Sequence, residues 1–191
     1  MKGAVGCIAL ALCLAMPAPV GAQAAPKGTI TGVTPYSLGM TTTDALAADA
    51  TLATATGTAC APAAKAYATR VTAPIGGYPY TANLVLCFLQ DQLGAIYLTW
   101  SAGTSRENPI AWQLATRSLA AQLAGSYAPP VVTRRYTVDD DMGAVMEMSD
   151  AQGNLLTMIA DPGHHPDIGV TYMSTAYDQA VNGKRITVTS Y

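Results

Sequence analysis

The sequence predicts an α+β fold in which two helices pack on one face of an antiparallel sheet. Three observations predict it: a hairpin of apolar strands, a long helix with a clear start and end, and a β-rich final third. No close internal repeat and no domain boundary interrupt the chain. We therefore expect a single α+β domain over residues 25–191.

The hairpin joins two β-rich runs, Asn83–Leu89 and Ala95–Trp100, through the turn signals of residues 90–94. Both alternating faces of the first run are apolar. This pattern is typical of a central strand that is covered on both sides of its sheet.

The longer helix begins with Asn108 as N-cap and Pro109 as the first helical residue, and it ends at Gly125. Its apolar stripe, at spacings of three and four residues, comprises Trp112, Ala115, Leu119 and Leu123. A shorter alanine-rich helix is expected over residues 44–53, with a threonine before it as cap and Asp44 in its first turn. These are the two helices expected to cover the sheet.

The remaining segments are mostly β in pattern. Residues 29–33 resemble a short strand, and residues 59–77 are expected to form a loop with one irregular strand. The β-rich final third is expected to contribute strands at 131–138, 142–148 and 155–160, with two further strands at 170–174 and 186–190.

The N-terminus has the pattern of a secretory signal peptide. Lys2 supplies a positive charge, the apolar run Ala4–Met16 follows, and Pro17 and Pro19 precede small residues suited to cleavage. The run is shorter than the about 20 residues that span a bilayer. We therefore expect residues 1–24 to be removed and the remaining domain to be periplasmic or secreted.

Cysteine usage agrees with an oxidising compartment. Cys7 and Cys13 lie in the signal peptide, so Cys60 and Cys87 remain as a pair. We expect a disulfide between them, which would stabilise the fold by roughly 3–4 kcal/mol on the chain-entropy model. A reactive thiol or a metal ligand is the alternative, but a lone pair lacks the spacing of a zinc site.

Charge and composition exclude several classes of function. The chain has 10 basic and 12 acidic residues, without a basic patch, which argues against a nucleic-acid partner. No second long apolar run follows the signal peptide, so the mature chain is expected to lack a transmembrane segment. Neither a Gly-x-Ser-x-Gly elbow nor a Ser-x-x-Lys motif occurs, and we expect a non-enzymatic protein without a cofactor.

The densest polar cluster contains both histidines of the chain. It comprises Asp161, His164, His165 and Asp167. Such side chains can ligate zinc or copper, so the alternative function is a metal-binding protein or metal-dependent hydrolase that uses this segment. Adjacent histidines in an extended segment point in opposite directions, and the interspersed Pro and Gly residues favour an exposed, solvated loop instead.

Tyrosine is unusually frequent, with ten tyrosines against one phenylalanine. Tyr67, Tyr78 and Tyr80 cluster near Gly and Pro residues in a segment expected to be an exposed loop. Tyrosine beside glycine suits a binding surface because it offers a large contact area for little lost entropy. Ordinary packing at the edge of the core is the alternative for these side chains.

Two stretches carry a resemblance to known proteins. Gly32-Val33 through Leu38-Gly39-Met40-Thr41, followed by a short helix, resembles the opening of small exported envelope proteins of the SmpA/OmlA type and of domains like the β-lactamase inhibitor protein. The stretch Leu119–Pro129 is similar to their helix end, with Ala128 in place of the usual glycine. The resemblance implies binding to another envelope or secreted protein, as a binding module, an inhibitor or an immunity protein. It assigns no binding residue, and the contact could use the sheet face or the tyrosine-bearing segment.

Overall fold

The computed structural model describes residues 28–56, 60–75, 78–100, 109–127, 131–138, 144–161 and 165–182. The expected signal peptide and the expected strand at 186–190 lie outside these residues. The helices are α1 (Thr42–Ala48), α2 (Pro109–Ser126) and α3 (Thr175–Asn182). The strands are β1 (Gly32–Val33), β2 (Tyr36–Ser37), β3 (Ala53–Ala55), β4 (Lys65–Ile75), β5 (Tyr78–Leu89), β6 (Gln92–Trp100), β7 (Val132–Val138), β8 (Ala144–Ser149), β9 (Leu155–Asp161) and β10 (His165–Met173).

Eight strands form one antiparallel sheet in the order β3-β4-β5-β6-β10-β9-β8-β7, and β1 pairs with β2 beside it. The sheet consists of two four-stranded meanders, and α1 precedes the first as α2 precedes the second. The last strands of the two meanders, β6 and β10, pair at the centre. The α+β prediction is confirmed, and the order of elements repeats although the sequence does not.

One face of the sheet carries the main hydrophobic core. The predicted stripe of α2 is buried there, and Trp112 is 1% exposed. Ala45 of α1 belongs to the same cluster as this stripe and as Leu84 and Leu98 of the central strands. The prediction of two helices on one face is therefore confirmed, and we call this side the covered face.

The segment Gly39-Met40-Thr41 forms the start of α1 and joins this helix to the sheet. Thr41 is the N-cap, and its Oγ1 accepts a hydrogen bond from the Asp44 N–H at 3.1 Å. Gly39 has a φ of +85°, a region that favours glycine, and its N–H donates to the Leu93 carbonyl. Met40 accepts a hydrogen bond from the Leu93 N–H. The segment thus docks the helix onto the start of β6.

Two boundaries differ from the sequence prediction. The helix ends at Ala48, and part of its expected extension forms β3, which pairs with β4. Residues 65–75, expected as loop and irregular strand, form a regular strand that pairs with β5 along its length. Ala and Pro in this segment are unfavourable in strands, whereas Thr, Tyr, Val and Ile favour them, and pairing with the strongly apolar β5 decides between the two tendencies.

The opposite face carries a second, smaller cluster around the disulfide. Cys60 and Cys87 are bonded, with their Cα atoms 5.6 Å apart, which confirms the predicted bridge. Tyr177 of α3 is buried in this cluster, and its hydroxyl accepts a hydrogen bond from the Ala61 N–H at 2.7 Å. The sequence did not predict α3, which closes this end of the sheet over Cys87.

Candidate binding surface

The described residues seal the face opposite the main core at one end. A cross-strand row at that end comprises Ser149, Leu155, Met173, Ala95, Cys87 and Ala66. Five of its members are buried and Met173 is half-buried. Tyr177 and the disulfide pack on it. This row is a closed continuation of the core.

Two further rows on the same face are open in the described part of the chain. The middle row comprises Glu147, Thr157, Thr171, Tyr97, Val85 and Ala68, and the outer row comprises Val145, Ile159, Gly169, Thr99, Asn83 and Arg70. None of these side chains is buried. We call these twelve residues the open face. It crosses six strands, and about 4.8 Å between strands gives it a width of about 24 Å.

The centre of the open face is uncharged. Ile159 is 53% exposed although it lies in β9, an interior strand. Its neighbours in the outer row are Val145 and Gly169. The charged residues Arg70 and Glu147 lie in the two outermost strands of the face, β4 and β8. Burial and the neighbouring Tyr177 raise the pKa of Tyr97, so its hydroxyl remains neutral and able to donate a hydrogen bond near pH 7. A neutral centre with charges toward its ends is the usual composition of a protein-binding surface.

Gly169 leaves a gap in the outer row between Thr99 and Ile159. Among the described residues, the atom nearest to a Cβ built there is the Ile159 carbonyl oxygen, at 3.9 Å. Neither a positive φ nor close packing therefore requires glycine at this position. Glycine weakens a strand interior and often marks a site where another molecule approaches closely.

The tyrosines singled out in the sequence lie elsewhere. Tyr67 is in β4, edge-on to Phe88 at 5.7 Å between ring centroids, and Tyr80 is in β5, edge-on to Trp112 at 5.9 Å. Both are half-buried against the core of the covered face, in strands rather than in the expected loop. The side chain of Tyr78 lies outside the described part. A binding role for these tyrosines stays a prediction.

The metal candidates are only partly described. His165 pairs with Asp161 in the β9–β10 ladder, and Asp167 follows in β10, but their side chains and the whole of His164 lie outside the described part. Among the described side chains, no group of three His, Cys, Asp or Glu residues could hold a metal ion. The metal-site alternative stays a prediction.

Sequence reasoning missed the open face, although one signal for it exists. In β6, Ile96, Leu98 and Trp100 are buried, which turns Tyr97 and Thr99 to the other side. The same alternation in β9 places Ile159 outward between buried neighbours. An isoleucine at an outward-facing position of the strand alternation is the signal.

Comparisons with known proteins give no relative from which a function could be transferred. No family model, no curated protein and no solved structure matches the chain. None of the described helices combines the length and the apolar composition needed to cross a membrane. The open face is therefore interpreted from its own residues.

Proposed function

We propose that this chain is an exported, non-enzymatic protein of the periplasm or the extracellular medium that binds another envelope or secreted protein through its open face. The observation that carries the proposal is the outer row across six paired strands, which the described residues leave uncovered, with the half-exposed Ile159 beside Gly169. Partners that dock on such a row would bury the apolar side chain of Ile159 within the contact.

The arrangement of charge supports a protein as the partner. A docked protein would remove the uncharged centre from water, while Arg70 and Glu147 could form ion pairs near the rim, where such pairs fix orientation more than affinity. No described feature of the face resembles the basic groove that nucleic acids need. The rigid sheet also pre-organises the surface, which lowers the entropic cost of binding.

Export and the sequence resemblance support the same class of function. The N-terminal pattern and the Cys60–Cys87 bridge fit a compartment in which disulfides persist. The resemblance to small envelope proteins of the SmpA/OmlA and β-lactamase-inhibitor types implies protein binding. Because Tyr67 and Tyr80 pack on the covered face, the sheet face is favoured over the tyrosine-bearing segment as the contact surface.

The proposal predicts position-specific cross-linking to a partner. A photo-reactive phenylalanine analogue is placed at Thr99 in the open face and, as control, at Leu114, which is 59% exposed on α2. In envelope fractions of the producing cells, we expect one defined protein adduct from the Thr99 position and none from the Leu114 position. Mass spectrometry of the adduct identifies the partner. Identical adducts from both positions, or none from Thr99, would refute the open face as the binding surface.

The Gly169→Val variant separates binding from folding. Valine has a higher strand propensity than glycine, and its Cβ has room, so we expect an increase in the free energy of unfolding of up to about 1 kcal/mol. The filled gap should weaken binding to the cross-linked partner at least tenfold, equivalent to about 1.4 kcal/mol. Urea unfolding and titration calorimetry measure the two effects. A variant that is more stable and binds normally would exclude Gly169 from the interface.

A further inference from the structure

A cavity lies on the covered face, away from the open face. Its volume is about 430 Å³, within the range of small-molecule sites. The floor consists of side chains from the adjacent strands β4, β5 and β6, and the walls come from the β1–β2 turn and the end of α1. The apolar lining residues are Val33, Pro35, Ala48, Val71, Ala73, Leu84 and Leu98. This lining suits a hydrocarbon group.

One carboxylate lines this cavity. Asp49 accepts a hydrogen bond from the Tyr36 hydroxyl at 2.7 Å on Oδ2, and from the Thr51 N–H and hydroxyl at 2.8 and 2.6 Å on Oδ1. The hydrogen bonds from Thr51 and Tyr36 lower the pKa of Asp49, so it is ionised at neutral pH. A carboxylate has about four acceptor sites. One site on Oδ2 therefore remains for a ligand.

The negative charge of Asp49 is not balanced inside the cavity. No lysine, arginine or histidine is among the described residues that line it. Tyr36 uses its only hydroxyl proton in the bond to Asp49, so it cannot donate to a ligand as well. A ligand that bonds to this carboxylate must bring its own donors, and a positive charge on the ligand would complement that of Asp49.

We propose that this cavity binds a small alkyl or aryl amine, with its hydrocarbon group against Val71 and Ala73 and its ammonium group at Asp49. The ammonium group supplies the hydrogen-bond donors and the charge that the cavity lacks. The hydrocarbon gains from leaving water for the apolar floor. This activity is independent of the proposed protein partner on the opposite face.

The test compares three eight-carbon probes that differ in their head group. Octylamine, 1-octanol and octanoate are titrated into the full mature protein at concentrations at which each probe is dissolved as a monomer, and tryptophan fluorescence is followed. Trp100 is a suitable reporter because its indole N–H donates to the Ala73 carbonyl at 3.4 Å. We expect saturable binding of octylamine and at least about tenfold weaker binding of octanoate, which Asp49 repels. Equal affinities for octylamine and octanoate would overturn the proposal.

Two variants locate the site, and one serves as control. Asp49→Asn removes the charge but retains an acceptor, and should reduce octylamine affinity to that of 1-octanol. Ala73→Leu fills the cavity and should abolish binding of octylamine and 1-octanol. Asp44→Asn, at an exposed aspartate on α1, should change neither affinity. Thermal unfolding confirms that each variant is folded. Octylamine binding that persists unchanged in the folded Ala73→Leu variant would also overturn the proposal.

Discussion

Replacing Asp150 by alanine is expected to lower the free energy of unfolding by about 4 kcal/mol. The Asp150 carboxylate is 7% exposed and accepts hydrogen bonds from the Ile30 N–H at 2.9 Å, the Asn154 N–H at 2.9 Å and the Asn154 side-chain amide at 3.0 Å. Ile30 is fully buried, so its N–H would lose its acceptor without an easy replacement by water. Urea-induced unfolding, followed by circular dichroism, measures the loss.

The effect should extend beyond the turn that contains Asp150. Asp150 holds Asn154 in place, and the side-chain oxygen of Asn154 accepts a hydrogen bond from the Thr175 N–H at 3.3 Å. Thr175 is the first residue of α3. Asp44→Ala is the matched control because Asp44 is an exposed aspartate bonded to Thr41, and it should cost less than about 1 kcal/mol. Similar losses in the two variants would contradict a structural role for the buried carboxylate.

The elements with strong local signals were predictable from the sequence. The helix stripe that includes Trp112 and Leu119 has its residues at the spacing of one helix face, and it is buried as expected. The β5–β6 hairpin follows from two apolar runs with a polar turn between them. In both cases the residues that determine the structure lie within one short segment, so tertiary information is not needed.

Gly94 shows where a local signal misleads. Glycine in a short polar segment predicts a turn, but the turn needs only Gln90 and Asp91, which have positive φ angles of 50° and 64°. Gly94 lies inside β6 instead. Glycine is required at position 94 because a Cβ there would overlap the side chain of Tyr177, which lies more than eighty residues further along the chain. A contact between residues so far apart in the chain produces no recognisable pattern in either local segment of the sequence.

The open face was not predictable for a related reason. Each of its residues lies in a strand with an ordinary alternating pattern, but the surface exists only when six strands adopt one register. A threonine at one position of a strand gives no signal of a surface. The row exists only because the sheet places Thr99 next to Gly169 and Gly169 next to Ile159. The segment around Tyr67 and Tyr80 is a strand pair rather than the expected loop, because β4 pairs with β5, and both side chains are half-buried against the core.

Gly94→Val is expected to destabilise the protein by about 4 kcal/mol. A side chain at position 94 would overlap the ring of Tyr177, which is 1% exposed. Displacing that ring would also remove the acceptor of the Ala61 N–H beside the disulfide. The expected loss in the free energy of unfolding therefore approaches the loss caused by deleting a buried aromatic side chain. Chemical denaturation with the disulfide intact measures this loss.

A double-mutant cycle separates this contact from general strand effects. If the Tyr177 ring is the obstacle, Tyr177→Ala alone and Tyr177→Ala with Gly94→Val should have similar stabilities, so the two substitutions are strongly non-additive. Gly125→Ala is the control glycine, since it lies in α2 with open space around it and should gain up to about 1 kcal/mol. Additive losses at positions 94 and 177 would show that Gly94 is required for another reason. Non-additivity would establish α3 as the element that seals this end of the sheet and sets the limit of the open face.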